Sequence, residues 1–354
     1  MRARVTSQAA REDPPYDYGM RLRLRTLAGY LVAVVGLIWV FHDVELGPML
    51  SAVSELRWTW VGLAIAIDIL TYMTQGFRWR LLLKPIGELR WLDAVRAIYA
   101  GLFASEILPM RPGEVLRAFL VSKQLNTPVS TVFPSIMVER LFDGVWLAIA
   151  IGVVAMLMPL PAGLLHAGDV LGVLILVAAL LFLYEVLRLR DDRGAVPVPP
   201  VALPSGRIER FRRHFREIGR RPETFVAFGV SPVLLLGQIL AFWLVAIAYA
   251  PLHLAFWAAA ATLIVIHLGT AIPNAPANVG TYQFFCVVAL TLFGVDKTIA
   301  TGFSVVVFVA LTVPLWLLGS LALGQSGATL AGVRAQIRGN GSGKSRTLRS
   351  NGPA

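Results

Sequence analysis

Charged residues and prolines interrupt an apolar part of the chain between residues 106 and 117. The segment Glu106-Ile-Leu-Pro-Met-Arg-Pro-Gly-Glu-Val-Leu-Arg117 contains two carboxylates, two guanidiniums, two prolines and a glycine. A guanidinium in an apolar environment offers a planar fork of donors that matches a phosphate group. Arg111 is therefore the first candidate for binding a phosphate-bearing ligand. The structural alternative is an ion pair of Arg111 with Glu106 or Glu114 that only pins the segment.

A second set of charged residues has helical spacing. Glu114 and Arg117 are three residues apart, as are Arg140 and Asp143, while Glu139 and Asp143 are four apart. Residues at these spacings share one face of a helix and can pair. Two interpretations remain open. The residues form salt bridges between helices near the cytoplasmic interface, where long side chains reach water, or they handle a substrate or a proton.

Asp68 is the single charged residue in the apolar run from Trp58 to Phe77. An ionised carboxylate is costly inside a membrane. Asp68 must therefore be protonated, be paired with a cation such as Arg111 or Arg140, or face water. Each option places it in the interior of a helix bundle.

A second proline-containing break occurs in the segment Ile272-Pro-Asn-Ala-Pro-Ala-Asn278. The residues that we predict to contact a substrate are Arg111, Glu114, Arg117, Arg140, Asp143, Glu139, Asp68, Asn274, Asn278 and Gln283. The residues that we predict to shape the two breaks are Pro109, Pro112, Gly113, Pro273, Pro276 and Gly280. Gly113 would let the chain reverse direction. The five histidines are scattered without metal-ligand spacing, so we expect no metal and no cofactor.

Composition places these residues in a membrane protein. Of all residues 56% are hydrophobic and only 15% are charged, too few polar side chains to cover a water-soluble globule. Six apolar runs approach the roughly 20 residues that a helix needs to cross about 30 Å of hydrocarbon. They are Thr26 to Phe41, Trp58 to Phe77, Gly144 to Leu160, Leu164 to Tyr184, Thr224 to Ala250 and Thr298 to Leu323.

The basic residues predict the orientation of these helices. Most of the 32 Lys and Arg residues lie in four regions, which are Arg2 to Arg25, Arg78 to Arg96, Arg188 to Arg221 and Arg334 to Arg349. Positively charged loops face the cytoplasm. We therefore predict cytoplasmic N and C termini in a bacterial-type inner (plasma) membrane. The net charge of +11 then reflects topology and attraction to anionic lipids rather than nucleic-acid binding.

This orientation requires residues 97–127 to enter the membrane and return to the same side. Their uncharged runs are too short to span, which predicts a re-entrant hairpin with its tip near Pro109 and Gly113. Residues 252–294 behave similarly from the outer face. For these residues a second re-entrant hairpin and two tilted full spans both remain open.

The order helix, helix, broken hairpin, helix occurs twice, in residues 25–160 and in residues 162–325. The predicted fold class is an all-α polytopic membrane protein with about six transmembrane helices plus two broken or re-entrant hairpins in an inverted repeat. Interrupted segments at matching positions of such a repeat are typical of a transporter-like site at the midplane. A basic N-terminal segment, 1–24, and a flexible tail, 326–354, would flank this domain.

A cytoplasmic basic loop, residues 188–223, is predicted within the second half. Its proline-rich start, from Pro197 to Pro204, disfavours a helix. An amphipathic helix follows, with its apolar residues at Ile208, Phe211, Phe215 and Ile218. We expect this helix to lie on the inner leaflet, and docking of a cytoplasmic partner is the alternative.

Three motifs resemble the transmembrane region of lysylphosphatidylglycerol synthases, a family often called flippase-like. They are Leu108-Pro-Met-Arg-Pro-Gly-Glu-Val-Leu-Arg117, Val138-Glu-Arg-Leu-Phe-Asp143, and Pro273 to Gln283 with Gly280. The resemblance covers roughly residues 25–325. It implies a membrane domain that moves, or helps to handle, lipids with modified or glycosylated head groups.

Two departures from that family matter. Many relatives have a Glu three residues after the glycine of the second break, where this chain has Gln283. The aminoacyl-transferring enzymes of the family carry a large soluble catalytic domain after the membrane part, whereas a short polar tail follows Leu323 here. Synthase activity is therefore not expected.

The leading hypothesis is a lipid flippase or transporter-like protein, not an enzyme, that accepts an anionic or phosphate-bearing lipid head in a polar cavity. The main alternative is a non-catalytic scaffold that presents a lipid carrier to a partner glycosyltransferase or synthase. A second alternative is a lipid enzyme that uses Glu114 and Asp143, although no nucleophile, metal set or cofactor motif accompanies them. The expected partners are membrane lipids, with no nucleic acid.

Overall fold

All regular structure in the described part of the chain is helical. The computed structural model describes Leu31 and residues 34–42, 44–108, 112–157, 162–187, 207–270 and 278–326. Its helices are α1 (34–41), α2 (Leu46–Ser54), α3 (Trp58–Leu83), α4 (Trp91–Ile107), α5 (Gly113–Gln124), α6 (Val129–Leu157), α7 (Ala162–Leu187), α8 (Arg207–Arg220), α9 (Pro222–Ala248), α10 (Phe256–Thr270), α11 (Thr281–Leu292) and α12 (Lys297–Gln325).

Five helices are long and apolar enough to cross a membrane. They are α3, α6, α9, α12 and the Gly168–Leu187 part of α7. These five correspond to five of the six predicted runs. The sixth run, Thr26 to Phe41, begins outside the described residues, and its described end forms α1. The protein is therefore a polytopic, all-helical membrane protein, as its composition predicts.

The order of a long helix, a broken helix pair and a second long helix occurs twice, as α3 to α6 and as α9 to α12. Equivalent helices run in opposite directions. The backbone N–H of Arg57, before α3, donates to the carbonyl of Ala248 at the end of α9 at 3.1 Å. At the other end, Lys84 pairs with Glu223 in the first turn of α9 at 3.2 Å. This antiparallel pairing is the arrangement that an inverted repeat requires.

Each broken pair packs inside its own apolar cluster. The first-hairpin cluster is formed by α4 and α5 with the end of α3, the start of α6 and the end of α12, and includes Trp79, Ile98, Ala104, Leu116, Val121, Val132 and Leu323. The second-hairpin cluster is formed by α10 and α11 with the start of α3, the end of α6, the end of α9 and the start of α12, and includes Ala64, Ile151, Phe242, Ala260, Ile264, Leu290 and Phe303.

The two helices of the second hairpin are short. At 1.5 Å per residue, α10 and α11 extend about 22 Å and 18 Å, less than the roughly 30 Å of hydrocarbon. The described helices α10 and α11 are thus each shorter than a full span, which agrees with the re-entrant alternative for residues 252–294. Residues 271–277 between them lie outside the described part of the chain.

The first hairpin is closed by contact between two glycines. A Cβ atom on Gly113 would collide with the carbonyl oxygen of Gly101 on α4 and with the hydroxyl of Ser105. Gly113 is the first residue of α5 and is absent from the positive-φ positions of the described chain, so it would help the chain to reverse by allowing this close approach and not by a positive φ. The glycine is needed for space. In the second break Gly280 does have a positive φ of 87°, which glycine adopts without strain.

The amphipathic helix α8 docks part of its apolar face on the protein, and its position on the inner leaflet stays a prediction. Ile218 is fully buried in a cluster with Phe142 of α6, and Phe215 packs against this cluster. The ring of Phe215 also meets that of Phe182 on α7, with centroids 4.9 Å apart. A helix with this strong apolar stripe buries it against whichever apolar surface is nearest, and α6 and α7 provide one.

Candidate functional site

Six charged side chains from three helices form a closed ring of ion pairs. Arg78 of α3, Arg117 and Glu114 of α5, and Glu139, Arg140 and Asp143 of α6 alternate in sign around it. The successive distances are Arg78 to Glu139 2.9 Å, Glu139 to Arg117 3.0 Å, Arg117 to Glu114 2.7 Å, Glu114 to Arg140 2.5 Å, Arg140 to Asp143 3.2 Å and Asp143 to Arg78 2.5 Å. Three positive and three negative groups cancel, so the ring as a whole is neutral.

One side of the ring is sealed inside the protein. The side chains of Arg78 and Glu139 are fully buried, and that of Arg117 is 4% exposed. Neutral groups complete this side, since Gln75 donates to the Glu139 carboxylate at 2.7 Å and Arg78 donates to the hydroxyl of Ser231 at 2.9 Å. Buried charges are tolerated only when they are paired and hydrogen-bonded in this way. This side fastens α3, α5, α6 and α9 together.

Trp79 fixes the position of Arg117. The guanidinium of Arg117 lies over the indole ring, 4.9 Å from its centroid, where the electron-rich face attracts the cation. The indole N–H donates to the hydroxyl of Ser135 on α6 at 3.0 Å, which holds the ring in place. Both aromatic and charged contacts thus tie α5 to the packed core.

The opposite side of the ring is accessible. The side chain of Arg140 is 53% exposed, and those of Glu114 and Asp143 are 35% and 34% exposed. Arg140 and Asp143 line a cavity of about 420 Å³. The accessible cation of the ring therefore faces a space large enough for a lipid head group, since ligand pockets typically measure about 300–1,000 Å³.

Both halves of the chain contribute to this cavity. The first half supplies Tyr72, Gln75 and Arg78 of α3 and Arg140 and Asp143 of α6. The second half supplies Gln238 of α9 and His267 of α10. The Nε2 atom of His267 is buried and has no hydrogen-bond partner among the described residues. Apolar residues complete the wall and include Leu102, Trp146, Leu147, Leu234 and Leu235. The cavity thus combines a polar and an apolar surface.

The structure contains both pairs predicted from helical spacing, Glu114 with Arg117 and Arg140 with Asp143. It also brings these two pairs together, which spacing could not predict. Sequence reasoning missed Arg78, which it assigned to a cytoplasmic basic region. Arg78 lies within the long helix α3 and is 0% exposed. The sequence did contain a signal for this role. Arg78 continues the apolar run that contains Asp68, and a charged residue inside a membrane helix needs partners in the bundle.

Asp68 is not part of the ring. It lies ten residues before Arg78 on α3 and is 6% exposed. Of the two cations suggested as partners of Asp68, Arg140 pairs with Glu114 and Asp143 instead. The other, Arg111, lies outside the described residues. Asp68 does lie in the interior of the bundle, as predicted.

The second break uses its polar residues differently. The side-chain oxygen of Gln283 accepts a hydrogen bond from the backbone N–H of Gly280 at 2.7 Å, which caps α11. This contact gives Gln283 a structural role, in addition to any contact with a substrate. Asn278 adopts a left-handed conformation with φ 52°.

Five predicted residues lie outside the described part of the chain, namely Pro109, Arg111, Pro273, Asn274 and Pro276. Pro112 lies immediately before α5.

Comparisons with known proteins show a family match and a partial similarity to a curated protein. Residues 26–319 match the family described as the lysylphosphatidylglycerol synthase TM region. The chain is also similar to the glycosyltransferase AglD of Haloferax volcanii, with 26% identity over 136 residues. That match covers 37% of this chain and 21% of AglD, so the chain spans about a fifth of the length of this curated relative.

Proposed function

This chain belongs to the family of lysylphosphatidylglycerol synthase transmembrane regions, and from that premise we propose that it transfers a lipid with a phosphate-bearing head group across the membrane. The head group would occupy the cavity beside the ion ring. The acyl tails would remain in the bilayer. The observation that carries the proposal is a guanidinium, Arg140, that belongs to a buried ion network and yet faces a cavity.

Arg140 is the group that would receive the phosphate. Its guanidinium is shared between the carboxylates of Glu114 and Asp143, at 2.5 Å and 3.2 Å. An entering phosphate can replace either carboxylate, because it offers the same planar fork more than one acceptor oxygen. Arg78 and Arg117 would stay bound to Glu139. Binding would then open the ring at its accessible side and leave the buried side intact.

Opening the ring would also free the first hairpin. The pair between Glu114 and Arg140 joins α5 to α6. A phosphate that takes the place of Glu114 weakens this connection while the pair between Arg117 and Glu139 persists. Binding of the head group would therefore be linked to movement of the hairpin, which is how a transporter-like protein can change the side to which its cavity opens.

The test is transfer of a probe lipid in proteoliposomes. Acyl-labelled fluorescent phosphatidylglycerol serves as the probe, and dithionite quenching reports how much label stays on the inner leaflet. Arg140→Gln should slow transfer at least about tenfold, because a hydrogen bond to a charged group contributes about 1.5–3 kcal/mol. Arg96→Gln is the matched control, since the Arg96 side chain is also 53% exposed and pairs with an Asp three residues away, outside the ring. Equal rates in the two variants would remove Arg140 from the site.

A scaffold role is the second candidate, and the similarity to a protein named as a glycosyltransferase favours it. In that role the cavity would hold a lipid carrier for a separate membrane enzyme. The scaffold predicts a stable complex with that enzyme and no probe transfer by the purified protein alone. A plasma-membrane location with cytoplasmic termini is part of the leading proposal and follows from the distribution of basic residues.

A further inference from the structure

Asp68 is a buried carboxyl group that the proposed head-group site does not use. It lies in the interior of α3, and 6% of its surface is exposed. No ion pair joins it to another residue in the part of the chain that the structure describes. It is absent from the residues that line the cavity. An intramembrane ionisable residue of this kind is by default a functional site.

Among the described residues, the titratable groups that interact with Asp68 are phenols rather than cations. The side chains of Tyr72 on α3, Tyr99 on α4 and Tyr282 on α11 all interact electrostatically with its carboxylate. Two other titratable groups are described in this region. Glu106 of α4 interacts electrostatically with Tyr72, and Cys286 of α11 does so with Tyr282. Helix α9 contributes the amide of Gln238, which hydrogen-bonds to Tyr72. Helix α12 has no charged residue between Thr298 and Gln325.

These surroundings determine the state of the carboxyl group. An ionised carboxylate without a cation costs several kcal/mol in a low-dielectric interior, and a protonated carboxyl avoids that cost. A bound metal cation would need a set of oxygen ligands. The described neighbours instead supply phenols, and the phenol of Tyr99 donates its hydrogen bond to the backbone carbonyl of Ile69 at 3.1 Å rather than to the carboxyl group. A proton is therefore the cation that fits Asp68.

A polar stripe connects Asp68 to the ion ring. Tyr72, Gln75 and Arg78 follow it on α3 at intervals of four, three and three residues, which places all four residues on one face of the helix. Tyr72, Gln75 and Arg78 line the cavity. Gln75 donates to Glu139 of the ring. Asp68 thus lies one helical turn beyond the end of the cavity, on the helix that pairs with α9 of the other half.

We propose that Asp68 is a proton-binding site that couples transfer of the lipid head group to movement of protons across the membrane. This inference rests on the proposed transfer function. Tyr99 of α4, in the first hairpin, packs against Tyr72 of α3 with ring centroids 6.2 Å apart. A proton enters when movement of this hairpin exposes the carboxylate to one aqueous side, and the neutral carboxyl then crosses the apolar interior. Deprotonation on the other side completes the exchange. The chemistry is the conversion of a carboxylate and a proton into a carboxylic acid, with no other reactant.

The experiment measures the steady-state distribution of acyl-labelled fluorescent phosphatidylglycerol in proteoliposomes, with and without an imposed pH difference. For wild-type protein, a difference of one pH unit should change the ratio of probe between leaflets by up to about tenfold for one proton per lipid. Asp68→Asn should still equilibrate the probe without a gradient and should show no gradient-dependent shift. Asp68→Glu, which keeps a titratable carboxyl, should retain the shift.

Asp169→Asn is the control, because Asp169 is an exposed carboxyl on α7 and should leave the wild-type shift unchanged. Wild-type equilibration without any effect of the pH difference would overturn the inference alone. A wild-type shift that persists in Asp68→Asn, or that follows a sodium gradient instead, would do the same. Absence of equilibration in wild-type protein would overturn the proposed function and this inference with it. Thermal unfolding in detergent identifies a variant that fails to fold. The response of the wild-type protein to the pH difference then decides.

Discussion

The guanidinium of Arg140 on α6 lies 2.5 Å from the carboxylate of Glu114 on α5. This contact closes the ring of six charges and joins the returning arm of the first hairpin to a long helix. Both side chains are partly exposed, whereas the pair between Arg78 and Glu139 on the other side of the ring is fully buried. The ring therefore has one side that can exchange partners and one side that cannot, and the following predictions depend on this difference.

Removal of the Glu114 charge should strengthen binding of a phosphate-bearing lipid. In Glu114→Gln the competing carboxylate at Arg140 is gone, and a partly exposed ion pair contributes up to about 1 kcal/mol. We expect the Kd for phosphatidylglycerol in detergent to fall about two- to fivefold, measured by thermophoresis. Glu88→Gln, at an exposed acidic residue between α3 and α4, should leave the Kd unchanged. Weaker binding in Glu114→Gln would mean that Glu114 contacts the ligand instead of competing with it.

Removal of the Glu139 charge should destabilise the protein. Glu139 pairs with both Arg78 and Arg117, and Glu139→Gln leaves two buried guanidiniums with too little negative charge. Breaking a buried pair in this way costs about 3–5 kcal/mol. Denaturant unfolding in detergent should show this loss. Glu217→Gln on α8, at an exposed side chain, should change stability by less than about 0.5 kcal/mol. A Glu139→Gln variant as stable as wild type would show that the buried side of the ring does not hold the helices together.

Addition of a methyl group at Gly113 should open the first hairpin. The new Cβ in Gly113→Ala would collide with the carbonyl oxygen of Gly101 and the hydroxyl of Ser105, so α4 and α5 must separate. We expect a lower unfolding temperature and loss of probe transfer. Gly152→Ala is the control, because no atom lies within 4 Å of a Cβ at that helical position. Alanine should even stabilise that site by up to about 1 kcal/mol. Wild-type stability in Gly113→Ala would contradict the close contact of the two arms.

Replacement of Arg111 by Ala should abolish lipid transfer and leave folding intact. Arg111 lies outside the described residues, between the end of α4 and the start of α5, where the sequence predicts the tip of the hairpin. A guanidinium at that tip would bind the phosphate as it moves past the break. Proteoliposome transfer and thermal unfolding, measured on the same preparation, separate the two effects. Wild-type transfer in the Arg111→Ala variant would remove this residue from the site.

The sequence by itself determined the class of fold and much of its plan. Apolar runs of about 20 residues can only be buried by spanning a membrane, so the long helices follow directly from composition. Glycines and prolines at 108–113 and at 272–280 located both breaks, because these residues interrupt helices and irregular backbone is tolerated inside a membrane only at sheltered places. Helical spacing also identified the local ion pairs of Glu114 with Arg117 and of Arg140 with Asp143.

The tertiary structure decided which of these charges meet. Arg78 and Glu139 are distant in sequence, and only the packing of α3 against α6 brings them to 2.9 Å. The same packing leaves Asp68 outside the ring and brings Ile218 and Phe215 of α8 against α6 and α7. Local spacing specifies which residues share a helix face, but the partner of that face depends on how separate helices approach. That approach is a property of the whole bundle, because every helix must bury its polar and apolar faces at the same time.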